Sequence, residues 1–347
     1  MKLPSSEQQD FADTVAALLE KRDPLAPMRH AVGRRTHDRD LWSELTAAGV
    51  LEPAEAGDLL TACLVAEALG RRAAPLPYLA ASLGASLVAG AGGTPDGLVT
   101  IGLLGADGLW SAAPLSLVEG RVSGVLPFVP DADAAAAVVA LVEQPAGPRA
   151  VLIPLPGAEV TVLETLDGTQ PLARVRLTDR PAELLPADAA TVTAAVAATG
   201  ELAVALHSAT VLGLVGWLLD TTVEYAGQRV QFGMPIAARQ AVKHHCATML
   251  MKVESIRSMV LELADVLEND SDPVARASAV ATTKAWTAEA AEEIAATALQ
   301  LHGGIGFTWE HDLHHYFKRC TMASRLLGTA AHHRQALASL LAGTTRS

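Results

Sequence analysis

The sequence predicts an α+β chain in three successive blocks, and three observations carry that reading. Helical periodicity fills the first ninety or so residues, short Val/Leu/Ile runs broken by turn residues fill the middle, and long apolar helical patterns return near Asp188 and run to the C-terminus. The blocks are an N-terminal helical domain over residues 1–96, a small β-barrel or sandwich over 97–185 and a four-helix bundle over 186–347. A chain of 347 residues can bury a core of that extent, and its 50% hydrophobic but only 4% aromatic composition suits many packed helices better than an all-β sandwich.

The first block opens with Ser5 or Ser6 as N-cap, Glu7 in the first turn, and Phe11, Val15, Leu18 and Leu19 at helical spacing. Further helices are expected over 38–48 and 58–69, the latter ending at Gly70, and after Pro77, where Leu79, Leu83 and Leu87 recur before a glycine cluster. Strands follow at 99–104, 115–118, 122–129, 137–142, 150–155, 160–163 and 173–177, with a turn at Asp167-Gly168. The stretch 202–225 is apolar on most faces and belongs at the centre of a bundle. Helices over 241–268 and 273–302 flank the turn signal Asn269-Asp270-Ser271-Asp272-Pro273, and a last helix or pair covers 312–341.

A formal charge of −12 argues against a nucleic-acid or anionic-membrane surface. Cys63, Cys246 and Cys320 are scattered and lack C-x-x-C spacing, so neither a disulfide framework nor a zinc site is indicated. The first residues have no apolar leader core, and no run of about 18 apolar residues without a charge is read elsewhere, so a cytoplasmic protein is expected. His311 and His315 lie one turn apart, but no H-E-x-x-H pattern accompanies them; no metal is expected.

Two segments carry the chemistry. Arg229-Val230-Gln231-Phe232-Gly233 with Gln240 follows one long helix, and Gln300-Leu301-His302-Gly303-Gly304-Ile305-Gly306 closes another. A guanidinium suits phosphate oxygens, helix ends leave N–H groups unpaired, and bare glycine backbone lets a ligand approach. Taken alone these features are weak, since a glycine after a helix is most often a plain C-cap.

The order R-V-Q-F-G-M-P-I, then Gln240-Ala241-Val242, then A-L-Q-L-H-G-G-I-G-F-T-W-E-H-D resembles the acyl-CoA dehydrogenase family, and the resemblance extends to Trp42-Ser43-Glu44-Leu45 and Glu67-Ala68-Leu69-Gly70. It implies the family's fold of helical domain, β-domain and four-helix bundle. It also implies FAD as cofactor, an acyl-CoA substrate undergoing α,β-desaturation, a tetramer, and an electron-transfer flavoprotein or similar acceptor. On this resemblance Arg229, Gln231, Phe232, Gln240, Gln300, Gly303, Gly304 and Thr329 bind FAD, and the Arg, Phe and Gln-x-x-Gly-Gly groups serve a neighbouring subunit's cofactor.

The family's other parts are missing. Its base is a Glu before Gly-Thr, and here the run is Leu326-Leu327-Gly328-Thr329, so Leu327 occupies the base position. Some members carry the base about twenty-six residues before the motif arginine, which falls at Ala203; Glu201 is a weak candidate, about 200° round the helix from there. The β-domain motifs that cradle a subunit's own flavin are degraded: Phe128 replaces a Trp, and Pro130, with no N–H, replaces a hydroxyl residue. Residues that serve a neighbour are kept and residues that serve the chain itself are lost. This resembles the base-lacking subunit of actinobacterial heteromeric α2β2 acyl-CoA dehydrogenases; the alternatives are a self-sufficient homotetramer with a relocated base and a catalytically silent structural subunit. A link to fatty acyl, steroid side-chain or other bulky acyl groups rests on analogy.

Overall fold

Two residues at the start of the first helix show how local chemistry sets its boundary. In the computed structural model, which describes residues 2–30 and 38–344, the Gln8 backbone N–H donates to Ser5 Oγ (3.2 Å) and the Ser5 N–H donates to Gln8 Oε1 (3.0 Å). This reciprocal cap starts α1 (Ser6–Arg22), which buries Val15 and Leu19 and leaves Phe11 and Leu18 half-buried. The short α2 (Ala26–His30) follows. Next come α3 (Arg39–Ala47), capped by Asp38, and α4 (Glu52–Ala56), then α5 (Leu59–Arg71) and α6 (Tyr78–Gly90).

The middle stretch forms β1 (Val99–Ile101), β2 (Ser116–Val118), β3 (Arg121–Pro130), β4 (Ala137–Gln144), β5 (Gly147–Pro154), β6 (Glu159–Val162), β7 (Leu172–Pro181) and β8 (Glu183–Leu184). They make two four-stranded sheets, ordered β1-β4-β5-β8 and β2-β3-β7-β6. Alternate residues from both point inward: Val122, Leu126, Val138, Ala140, Val151, Ile153, Val175 and Leu177 form the core, as period-two alternation requires of two packed sheets. Of the sandwich and barrel alternatives, the chain takes the sandwich.

The helix α7 (Ala189–Gln228) is longer than its apolar run implied. By length and composition it contains a stretch apolar enough to cross a membrane, which corrects the expectation that no such stretch exists; 89% of that window is buried in the fold. A hairpin, β9 (Val230–Gln231) with β10 (Met234–Pro235), leads to α8 (Gln240–Asn269). The Asp272 carboxylate caps α9 (Pro273–His302) by accepting from the Val274 N–H (3.0 Å). The C-terminal pair is α10 (Leu313–Ala323) and α11 (Ala330–Thr344).

The elements group into two compact units. One holds residues 38–58 and 75–204, where α6 lies on β1 and the Ser86 and Thr199 hydroxyls meet at 3.1 Å. The other holds residues 2–30, 59–74 and 205–344, a bundle in which α1 packs on α5 and α8 on α9. In that bundle Arg257 on α8 donates to Glu67 on α5 (2.8 Å), and Glu268 accepts from the Leu60 N–H (3.0 Å). The chain is helical at both ends with small sheets between, the α+β order that the sequence predicts.

Candidate functional site

Where α7 ends, the Arg229 N–H still donates to the Tyr225 carbonyl (2.8 Å), so the arginine leaves from the last helical turn. The chain then reverses in the β9–β10 hairpin, whose tip is Phe232 at φ 55 and Gly233 at φ 78. Two successive positive φ values suit the twist of a tight hairpin, and Gly233 takes one without strain. A phenylalanine there is unusual. Its ring stands 88% exposed, with the Arg239 guanidinium 5.0 Å from its centroid. Arg239 precedes the first residue of α8, Gln240, and no side chain caps that helix start.

The second segment closes α9. Gly303 at φ 63 ends the helix, and a Cβ built on Gly303 or Gly304 would meet nothing within 4 Å. Their bare backbone therefore faces open space. Gly306 differs: a Cβ there would lie 3.0 Å from Leu299, so the chain's own packing demands that glycine. The two segments meet at their bases, because Tyr225 stacks on His302 with centroids 4.5 Å apart and planes at 19°. His302 contacts His311 edge-on, and Trp217 stacks on Tyr316 at 3.7 Å. Burial lowers the pKa of His302, His311 and His314, and that of His315 to about 4, so these rings are neutral at pH 7. Among the described residues no group of three or more His, Cys, Asp or Glu is arranged to hold a metal.

Arg229, Gln231, Phe232, Gln240, Gln300, Gly303, Gly304 and Thr329 are all exposed. Thr329 Oγ1 accepts from the His332 N–H (3.3 Å) at the start of α11. Leu327, half-buried at φ 59, leaves no carboxylate at its position. On α7 Ala203 is fully buried and Glu201 half-buried, as residues two apart on a helix should differ. In the sandwich, Phe128 bridges to Leu104, which also bridges to Trp110; Pro130 pairs with Leu172 and its carbonyl accepts from Thr100 Oγ1.

Sequence patterns did not single out Lys284 or His207. Both are buried, and both donate to the Ala323 carbonyl, from Nζ at 3.1 Å and Nε2 at 2.9 Å. The only signal was a lysine inside the otherwise uncharged run Ala281-Thr282-Thr283-Lys284-Ala285-Trp286.

The donor set fits one part of a flavin dinucleotide. A guanidinium, three side-chain amides, a free ring and bare glycine backbone suit a pyrophosphate with an attached aromatic base. The Phe128–Pro130 strand lacks an N–H and a hydroxyl at Pro130 and does not supply the same chemistry for a flavin ring.

Residues 200–341 match the family model described as "Acyl-CoA dehydrogenase, C-terminal domain". The chain is 32% identical over 337 residues to "Acyl-CoA dehydrogenase IpdE2" of Mycobacterium tuberculosis, covering 93% of this chain and 94% of that protein. Among solved structures it is similar to the "ChsE4-ChsE5 complex from Mycobacterium tuberculosis", with a TM-score of 0.85, 25% identity and 99% of each chain covered. It is also similar to a variant of the "Tcur3481-Tcur3483 steroid ACAD", with a TM-score of 0.83, 25% identity, and 98% and 99% of the two chains covered.

Proposed function

The chain belongs to the acyl-CoA dehydrogenase family of flavoprotein oxidoreductases acting on acyl-CoA, and from that premise we propose that it completes the FAD site of a catalytic partner subunit in an α2β2 enzyme. One observation carries the reading: the eight residues suited to FAD are all exposed, while Leu327 stands at the base position. They face outward, as residues lent to another chain must. Solved relatives named as two-protein complexes support this assembly, and one named a steroid enzyme supports a bulky acyl group.

In this reading FAD, when bound, accepts the β-hydride of the acyl-CoA. Arg229 holds the pyrophosphate by charge and by its planar fork of donors. Gln231, Gln240 and Gln300 would offer amides to its remaining polar edges, the Phe232 ring would offer an apolar face to the adenine, and Gly303 and Gly304 would let it approach the main chain. Proton removal from the α-carbon falls to a carboxylate of the partner, because a leucine accepts no proton. Electrons leave through an electron-transfer flavoprotein or similar acceptor. The three-domain division at residues 96 and 185 and a cytoplasmic setting complete the proposal.

The test is the visible spectrum of the chain purified alone and after co-expression with the product of the adjacent gene. A colourless chain that turns yellow with its partner supports the reading. Arg229→Ala in the complex then weakens FAD about 100-fold, since it removes a charged phosphate contact. A chain that is yellow and reduces an acceptor alone points to a self-sufficient enzyme with a base near Glu201. Unchanged FAD in the Arg229→Ala complex points to a silent structural subunit.

A further inference from the structure

The turn between α10 and α11 is held by donors from several elements. His207 on α7 and Lys284 on α9 both donate to the Ala323 carbonyl, at 2.9 and 3.1 Å. Ser324 Oγ donates to Glu292 Oε1 (2.6 Å), and His333 Nε2 donates to the Leu327 carbonyl (2.7 Å). The last residue of the turn is Thr329, whose hydroxyl caps α11.

Two features of this turn oppose stability. Leu327 sits at φ 59, a left-handed conformation that a residue with a β-carbon resists. Lys284 is 1% exposed, and among the described residues no carboxylate pairs with it. The titratable groups coupled to it are His207 from α7 and His333 from α11, and Arg319 from α10 bears in turn on His207. All are basic. Burial lowers the Lys284 amine to about 8, and burial with the neighbouring amine lowers His207 to about 3, so His207 is neutral and its Nε2–H serves the carbonyl. A methionine at position 284 would fill the same space without desolvating a charge. Strain and a buried unpaired amine survive together where the surroundings enforce them, which is typical of functional sites.

We infer that Lys284, with His207 and His333, positions the 323–329 turn so that Thr329 meets the phosphate-bearing part of the shared FAD. The inference rests on the shared-site reading above. Lys284 acts through the Ala323 carbonyl and through the positive potential it lends the turn, not by touching the acyl group.

The experiment titrates FAD into the apo-complex of this chain with its catalytic partner, from pH 6.5 to 9.5. In the wild-type complex affinity falls as the pH passes about 8, where the Lys284 amine loses its charge. Lys284→Met weakens FAD roughly ten-fold at pH 7 and flattens the profile. The same substitution raises the Tm of the isolated chain. The native amine releases its proton near 8 and the unfolded one near 10.5, so the burial penalty is full below 8 and gone above 10.5. Leu327→Gly relaxes the turn and serves as the second variant, with FAD weakened several-fold. Wild-type affinity and pH profile in both variants overturn the inference. Arg229→Ala separates the two ideas: if it releases FAD while Lys284→Met and Leu327→Gly do not, only the positioning role fails. If it leaves FAD in place, the shared site itself fails, and this inference with it.

Discussion

Two surfaces of the same helical bundle obey opposite rules. Where α5 crosses α7, the backbones touch: a Cβ on Gly70 would lie 2.0 Å from the Thr210 carbonyl oxygen, and one on Gly213 would lie 2.0 Å from that of Glu67. At the other surface, the β9–β10 hairpin and residues 240–251 of α8 leave most side chains exposed, including Val230, Phe232, Leu250 and Met251, with Val242 and Cys246 half-buried and Met249 buried. Single exposed apolar residues are ordinary, but a run of them over consecutive elements leaves apolar area that water disfavours. The crossing is finished by its own chain, whereas the hairpin face is left open, as the proposed shared site requires.

The largest expected effect breaks the finished surface. Gly213→Ala places a methyl group inside the Glu67 carbonyl and the Arg71 N–H, so the helices must part. A loss of about 3 kcal/mol or more is expected, read by denaturant unfolding of the isolated chain. A loss below about 1 kcal/mol would mean that the close crossing is not what holds α5 to α7.

A smaller effect on the chain itself, but a large one on assembly, is expected at the open surface. Phe232→Asp with Met251→Asp should shift unfolding of the isolated chain by no more than about 0.5 kcal/mol, because neither side chain is packed. The same pair should weaken association with the partner roughly 100-fold in analytical ultracentrifugation, since it puts two charges into a desolvated contact. Full association would show that the exposed apolar face is not the interface.

The sequence made the first surface partly visible and the second poorly so. Gly70 read as the end of a helix, yet α5 runs one residue past it, and the small residue serves the α7 crossing. Periodicity located α7 from near Asp188 because helical patterning returns there and an all-round apolar helix must be buried, but the apolar run 202–225 alone did not show that one unbroken helix spans both parts. The hairpin was hidden because phenylalanine at its tip is no turn former; only Gly233 carried a signal. That position 327 offers no carboxylate was legible, since a leucine needs no geometry to be disqualified. Lys284 was not, because in a helix as Ala-rich as α9 the buried and exposed faces have nearly the same composition.

The smallest expected effect compares two left-handed turns. The chain leaves α9 through Gly303 at φ 63, where no side chain is present to object, and leaves α10 through Leu327 at φ 59, where one is. Both residues sit at positive φ, but Gly303, at ψ −140, occupies a region that glycine takes readily and a residue with a β-carbon hardly enters. Leu327→Gly should therefore remove conformational strain of about 1 kcal/mol. Against this stand the greater freedom of glycine in the unfolded chain and the loss of a half-buried side chain, which together offset part of the gain. The net expectation is a rise in stability of a few tenths of a kcal/mol, measured by unfolding of the isolated chain alongside Gly303→Ala. Gly303→Ala should fall by about 1 kcal/mol, because its Cβ meets open space but not a permitted φ. If Leu327→Gly destabilises as much as Gly303→Ala does, the leucine side chain matters more to the turn than its strain.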